Sequence, residues 1–329
     1  MEYRTLGSSG LQVSPICLGT MTFGTPVAEP EAIRLVHESI DLGINFIDTA
    51  NSYEGYDRVV GSSGGVAEKI LGNALHDRRD RVVLATKVCS PLGPGPQDRG
   101  LSAAHITREL DRSLENLRTD YLDLYIIHWP DRLTPLETML EAMDRAVRQG
   151  KVRCFGSSNH TAAQLCEMLW IADVRRLMKV VASQIPYSML TRHFHNDLEF
   201  CAAHDISVTP YQSLQGGLLT GKYKRGAAPP AGSRAAEKPE WVATTDDALH
   251  DRLEALGELA KEAGVPVVQY VLAWTLDQPA MTSLVYGTKR IEQVRDAIAA
   301  LEVKIPEAHH ERIDELFPRP WRQADPIRG

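Results

Sequence analysis

The sequence predicts an α/β chain folded as a single-domain (β/α)8 TIM barrel, with an N-terminal hairpin and long loops on the C-terminal face. Three observations predict it. Short β-branched or apolar runs alternate with segments of helical period almost to the C-terminus. There are eight such runs, each followed by at least one helix, and parallel strands need crossovers of that kind. No Gly-x-Gly-x-x-Gly follows any of the runs, as the rival open dinucleotide-binding sheet would want.

In chain order, residues 1–13 carry Gly7 and Gly10 and read as a small hairpin closing the barrel floor. The first run, 16–20, is followed by helical periodicity over 30–42, and the second, 45–48, by a helix at 66–76. Runs 82–87, 122–128 and 152–157 are followed by helices at 102–117, 134–149 and 161–172. Run 180–184 precedes a helix at 192–204, run 206–211 the pair 248–263 and 267–277, and run 282–287 a helix at 291–301. A last helix at 307–316 is followed by a Pro/Trp/Arg-rich coil, and the whole chain, 1–329, reads as one domain. Two stretches interrupt the alternation: 54–65, with the flexible Gly61-Ser62-Ser63-Gly64-Gly65, and 221–247, rich in Gly and Pro. Loops of that length in a compact domain are lids or disordered segments.

Lys and Arg number 36 against 43 Asp and Glu, a net charge of −7 without a basic block, so neither nucleic acid nor an anionic membrane is expected as a partner. No basic-then-apolar leader and no apolar run of about 20 residues is present, which points to a cytoplasmic protein. The 5 cysteines are scattered, odd in number and without a C-x-x-C pair, and read as reduced thiols, mostly in the core.

In a barrel of this kind chemistry sits where strands end. Those positions hold Asp48, Lys87, His128, Ser158-Asn159, Gln184, Tyr211 and Gly287-Thr288-Lys289-Arg290. Asp48, Lys87 and His128 come from adjacent strands, and Tyr53, five residues past Asp48, can fold back over the same mouth. A buried Lys beside an Asp stays charged, and an ammonium near a phenol favours phenolate, so the Tyr53 pKa is expected to fall from about 10. This makes Tyr53 a proton donor to a developing alkoxide, with His128 orienting the same oxygen. Each residue alone has an ordinary structural explanation. Four at successive strand ends do not, because burying charge without function is costly.

These residues stand in motifs that resemble the aldo-keto reductase family over nearly the whole chain. The motifs are Tyr3-Arg4-Thr5-Leu6-Gly7-Ser8-Ser9-Gly10-Leu11-Gln12-Val13-Ser14, Gly43-Ile44-Asn45-Phe46-Ile47-Asp48-Thr49-Ala50 running on to Tyr53, and Ala85-Thr86-Lys87. Ile126-Ile127-His128-Trp129-Pro130-Asp131, Gly156-Ser157-Ser158-Asn159 and Gly217-Leu218-Leu219-Thr220-Gly221-Lys222-Tyr223 complete them. The Trp129-Pro130-Asp131 sequence is similar to the branch that includes potassium-channel β-subunits and bacterial sugar or aldehyde reductases.

The resemblance implies NADPH-dependent carbonyl reduction without a metal, with a tetrad on Asp48, Tyr53, Lys87 and His128. It puts Ser158, Asn159 and Gln184 on the nicotinamide carboxamide, Tyr211 against the ring, Lys222 on the pyrophosphate, and Lys289, with Arg290 as the weaker candidate, on the 2′-phosphate. Leu214, Gly216, Gly287 and Gln293 are further expected cofactor contacts. Asn and Gln suit an amide and an aromatic face suits a flat heterocycle, independently of the resemblance. Three departures stand out: Gln212-Ser213 where the family commonly has Ser-Pro, Asp296-Ala297 where it has Glu-Asn, and the lengthened 54–65 loop. The expected activity is reduction of an aldehyde or ketone to an alcohol, on a small-molecule substrate. The alternatives are a reductase of a nucleotide-linked keto-deoxysugar, for which Arg58 and Arg99 are candidate phosphate contacts, or a slow redox-reporting subunit that binds NADPH. Monomer and homo-oligomer both stay open.

Overall fold

Every second residue of a barrel strand points to the axis, so each run must supply an inward file of side chains and an outward file for the helices. The computed structural model describes residues 1–319 and has this arrangement. An antiparallel hairpin of β1 (Arg4–Thr5) and β2 (Gln12–Val13) comes first. Eight parallel strands follow: β3 (Ile16–Gly19), β4 (Phe46–Asp48), β5 (Val83–Val88), β6 (Leu122–Ile127), β7 (Val152–Ser158), β8 (Ala182–Gln184), β9 (Ser207–Val208) and β10 (Leu284–Gly287). Their order is β10-β3-β4-β5-β6-β7-β8-β9. The ring closes between β9 and β10, where Thr282 N donates to Val208 O and Val285 N to Pro210 O, both at 2.9 Å.

The helices are α1 (Glu29–Asp41), α2 (Val66–Ala74), α3 (Ala103–Leu117), α4 (Leu136–Arg148), α5 (Ala162–Arg175) and α6 (His195–Ala203), then α7 (Arg234–Glu237), α8 (Asp247–Glu262), α9 (Val267–Leu276), α10 (Ile291–Ala299) and α11 (Glu307–Leu316). Local chemistry starts them: Ser102 accepts from His105 N at the head of α3, and Thr161 and Gln164 cap each other's backbone at the head of α5. Ile106, Leu110, Leu114 and Leu117 form the buried stripe of α3, at the helical spacing that seats it on the barrel.

Two cores result. Cys17, Phe46, Val83, Ala85, Leu124, Ile126, Cys154 and Ala182 fill the barrel, while Leu18, Ile47, Leu84, Tyr125, Ile127 and Phe155 face the helices. Leu6 and Val13 of the hairpin are fully buried in the inner core, so the hairpin plugs the lower end as expected. Gly7 makes the plug possible: its φ is +51°, and a Cβ there would lie 2.2 Å from the Val181 carbonyl oxygen. At that same end the buried Asp123 carboxylate is paired by Arg79 and Arg153, each at 2.8 Å.

Two expectations change. Regular strand in run 206–211 is confined to β9, although its bonds to the β8 side continue, with Thr209 N donating to Ser183 O and Tyr211 N to Ile185 O, each at 2.9 Å; Pro210, with no N–H, interrupts donation only on the β10 side. The 221–247 stretch is not structureless; it contains α7 and a 3-10 turn, Pro239–Trp241. Four of the cysteines are buried and Cys166 is exposed, all as free thiols. The coil expected after the last helix lies, from residue 320 onward, outside the described residues. Among the described residues no helix is long and apolar enough to cross a membrane.

Candidate active site

The inward files of the barrel end at the site. Two residues beyond Phe46 is Asp48, beyond Ala85 is Lys87, beyond Ile126 is His128, beyond Ala182 is Gln184, and beyond Gly156 is Ser158. Period two therefore changes from apolar or small to polar at the C-terminal ends of five adjacent strands. The Lys87 ammonium donates to Asp48 Oδ2 at 2.6 Å, Thr49 O at 2.8 Å and the Tyr53 hydroxyl at 3.0 Å. Tyr53 is carried over the mouth by a turn in which its N–H donates to Ala50 O at 3.0 Å. The His128 ring lies edge-on to Tyr53 with centroids 6.0 Å apart, and its Nδ1 is 3.4 Å from Ser90 Oγ. The four expected catalytic residues are thus brought together.

Their electrostatics correct one expectation. Burial raises the Tyr53 pKa above its ordinary value, and the opposing pull of Lys87 does not offset it, so the phenol stays protonated rather than drifting towards phenolate. Burial by itself would lower the Lys87 pKa, but Asp48 and Tyr53 hold the ammonium above its ordinary range. His128 is held well below the usual histidine range by burial, then by the charges of Lys87 and Arg58. A neutral imidazole, a fixed ammonium and a protonated phenol therefore face one mouth. That set can hold a carbonyl oxygen and give it a proton.

The residues expected to hold a dinucleotide form a wired network beside it. Asn159 Nδ2 donates to His128 O and Ser158 Oγ, each at 2.9 Å, and its Oδ1 accepts from the Tyr211 hydroxyl at 2.8 Å. Burial pushes that hydroxyl up to about 12, so it is a donor. Ser158 Oγ donates to Gln184 O at 2.8 Å, and Gln184 Nε2 donates to Asp48 Oδ1 at 2.9 Å. These bonds leave the Gln184 side-chain oxygen as an acceptor. Beyond Leu214, Gly216 and Gly217 have φ of +64° and +98°, and a Cβ on Gly217 would lie 2.5 Å from the Lys222 ammonium. The Ser213 hydroxyl is buried without a partner. A glycine turn, an orphan hydroxyl and an ammonium suit a pyrophosphate, so the donor set fits the group.

The adenine end is less open. Lys289 pairs with Glu237 and donates to Gly232 O at 3.0 Å. Gln293 Oε1 accepts from Thr288 Oγ1 at 2.7 Å and from the N–H groups of Lys289 and Arg290 at 3.0 and 3.2 Å, so it caps α10. Gly287 ends β10 with open space where a Cβ would stand.

A model of the aldo/keto reductase family matches residues 15–317. The chain belongs to the aldo-keto reductase family. It is 39% identical to an uncharacterized oxidoreductase of Bacillus subtilis (strain 168), YrpG, with 97% of each chain covered. It is 34% identical to a probable voltage-gated potassium channel subunit beta of Arabidopsis thaliana over 92% of each chain. To protein tas of Escherichia coli (strain K12) it is 31% identical, over 97% of this chain and 99% of the other. The branch suggested by Trp129-Pro130-Asp131 matches these relatives, and the family makes the chain an oxidoreductase of the NAD(P)H-dependent, carbonyl-reducing kind.

Sequence reasoning about this aldo-keto reductase missed the residues that join its two long loops. Glu54 pins the 54–65 loop by accepting from Ser62 Oγ and, at 3.0 Å, from Gly64 N. Tyr56 is buried with its ring edge to Trp241 at 5.4 Å, and Arg234 lies over the same ring at 4.6 Å. Lys289 stands 5.3 Å from that ring. The 221–247 segment is therefore a strap fastened to the loop after Tyr53 and to the end of β10. The aromatic Tyr56 and Trp241, set in stretches rich in Gly, Pro and small or charged residues, were the available signal.

Proposed function

We propose that this aldo-keto reductase reduces an aldehyde or ketone to an alcohol with NADPH, that Tyr53 is the general acid, and that residues 1–329 act as one catalytic domain. The observation that carries this is the Lys87 ammonium, buried and bonded at once to Asp48, Thr49 and Tyr53. The bound cofactor supplies hydride. Tyr53 O–H donates the proton to the carbonyl oxygen as negative charge grows there, and Lys87 stabilises the phenolate left behind. Asp48 keeps Lys87 charged and fixed, and neutral His128 donates a hydrogen bond that orients the same oxygen.

Ser158, Asn159 and Gln184 hold the carboxamide, and Tyr211, steadied by Asn159, covers the ring. Leu214, Gly216, Lys222 and Gly287 line the pyrophosphate side. Lys289 meets the 2′-phosphate once Glu237 is displaced, with Arg290 and Gln293 at the adenine end. The protein works in the cytoplasm on small carbonyl compounds. The test is loss of reduced-nicotinamide absorbance with a panel of aromatic aldehydes, dicarbonyls, sugars and keto-sugar nucleotides. Turnover that disappears in Tyr53→Phe supports the reading, and equal turnover in that variant overturns the proton donor.

A further inference from the structure

Arg58 lies on the loop after Tyr53 and is fixed by backbone alone: one guanidinium nitrogen donates to Ser52 O, and another to Pro91 O at 3.4 Å. It thereby bridges the loops that follow β4 and β5, on either side of the Tyr53 and Lys87 pair. Peptide oxygens accept its hydrogens without cancelling its charge. Among the described residues Arg58 forms no ion pair. Glu54 is the acid whose charge reaches Arg58, but it is not within ion-pair distance: its carboxylate accepts from Ser62 Oγ and Gly64 N, while Asp57 accepts from Thr25 Oγ1 at 2.7 Å.

The guanidinium charge, fixed between the two loops, reaches the reacting groups and acts on both Tyr53 and His128. A guanidinium has five N–H donors in a planar fork, and two bonds leave three for a ligand. Arg99, the other cation considered from sequence, is exposed and has no such anchorage. Val59 and Val60, next in the chain, are 68% and 77% exposed, so the loop shows an apolar rim beside one fixed cation. A neutral carbonyl substrate would use the rim and leave the cation idle.

We infer that Arg58 selects carbonyl substrates bearing a carboxylate or phosphate, gripping the anionic oxygens while Tyr53 and His128 engage the carbonyl. This rests on the proposed carbonyl reduction. The experiment compares kcat/KM for matched aldehydes, pentanal against 5-oxopentanoate and glyceraldehyde against glyceraldehyde 3-phosphate, in the wild type and in Arg58→Gln and Arg58→Lys. The expected result is a preference for one anionic member that falls about tenfold or more in Arg58→Gln, returns in part in Arg58→Lys, and weakens with added salt in the wild type alone. The pair that shows it tells carboxylate from phosphate. An equal fall for neutral and anionic members would mean that Arg58 only fastens the loop, and would overturn the inference.

Calorimetric titration of glutarate and of inorganic phosphate into the NADP-saturated protein reads the same contact without turnover. Affinity weakened about tenfold in Arg58→Gln supports the inference; equal affinities overturn it. If no aldehyde is reduced by the wild type, the proposed reaction fails while this titration still decides the role of Arg58.

Discussion

Replacing Lys87 by Met separates what the buried cation does for folding from what it does for chemistry. Lys87 and Asp48 have side-chain exposures of 0% and 2%, and their charged atoms are 2.6 Å apart. At an effective dielectric of about 20 that contact is worth roughly 6 kcal/mol of attraction, which dehydration of the two ions, several kcal/mol each, largely cancels. The pair thus adds little net stability. Its broken half is another matter: Lys87→Met leaves the Asp48 carboxylate buried with only Gln184 Nε2 as donor, at a cost of about 3–5 kcal/mol.

Adding Asp48→Asn removes the stranded charge and keeps an oxygen for Gln184 to donate to. The double variant is expected to be about 2–3 kcal/mol more stable than Lys87→Met in urea denaturation, while carbonyl reduction stays about a hundredfold or more below the wild type. The deficit of Lys87→Met also shrinks with acid. Protonation relieves a carboxylate stranded without its cation, so the destabilisation shrinks as pH falls and grows as pH rises. Additive losses in the two single variants, with no recovery in the double, would refute the account of the pair.

Other outcomes follow from the same geometry. Because burial raises the Tyr53 pKa and holds His128 neutral, kcat for reduction should show no histidine ionisation between about pH 6 and 8, and should fall only on the alkaline side, above about pH 10 where an ordinary tyrosine titrates. A pH profile read by nicotinamide absorbance checks this. Burial lowers the His160 pKa from 6.5 to about 4, so the unfolded chain takes up a proton that the folded one refuses, and stability present above pH 6.5 is lost as pH falls towards 4. From pH 7 to 5 that is about 2 kcal/mol, at roughly 1.4 kcal/mol per unit, and His160→Gln should flatten the dependence of the urea midpoint accordingly. Since Glu237 occupies Lys289, Glu237→Gln should tighten NADPH by about threefold to tenfold with little change for NADH, measured by fluorescence titration.

The barrel was legible because strands and helices repeat with different periods, and because a parallel strand must be followed by a crossover. The tetrad was legible for a related reason: Phe46 to Asp48 and Ile126 to His128 are steps of two from apolar to polar, which only a strand end tolerates. Run 206–211 is regular strand over a shorter stretch than its residues suggest, since Pro210 leaves one side of the run without a donor while Thr209 and Tyr211 keep bonding to the other. The Tyr53 pKa was misjudged for want of burial, a quantity set by the packing of the whole mouth. Contacts such as Tyr56 with Trp241, far apart in sequence and in stretches of no regular period, leave no local trace for periodicity to find.

The fastening of the strap to Tyr56 has a consequence in time. With the cofactor placed as proposed, a dinucleotide would enter or leave as the Tyr56–Trp241 contact, the Arg234 stacking and the Glu237–Lys289 pair give way, so its residence would be governed by the opening of a latch as well as by its own contacts. Tyr56 is also three residues from the proton donor and two from Arg58. On that reading, anything that steadies the loop from the substrate side would slow the latch, and the lifetime of the bound cofactor would become a clock set by what occupies the other half of the mouth.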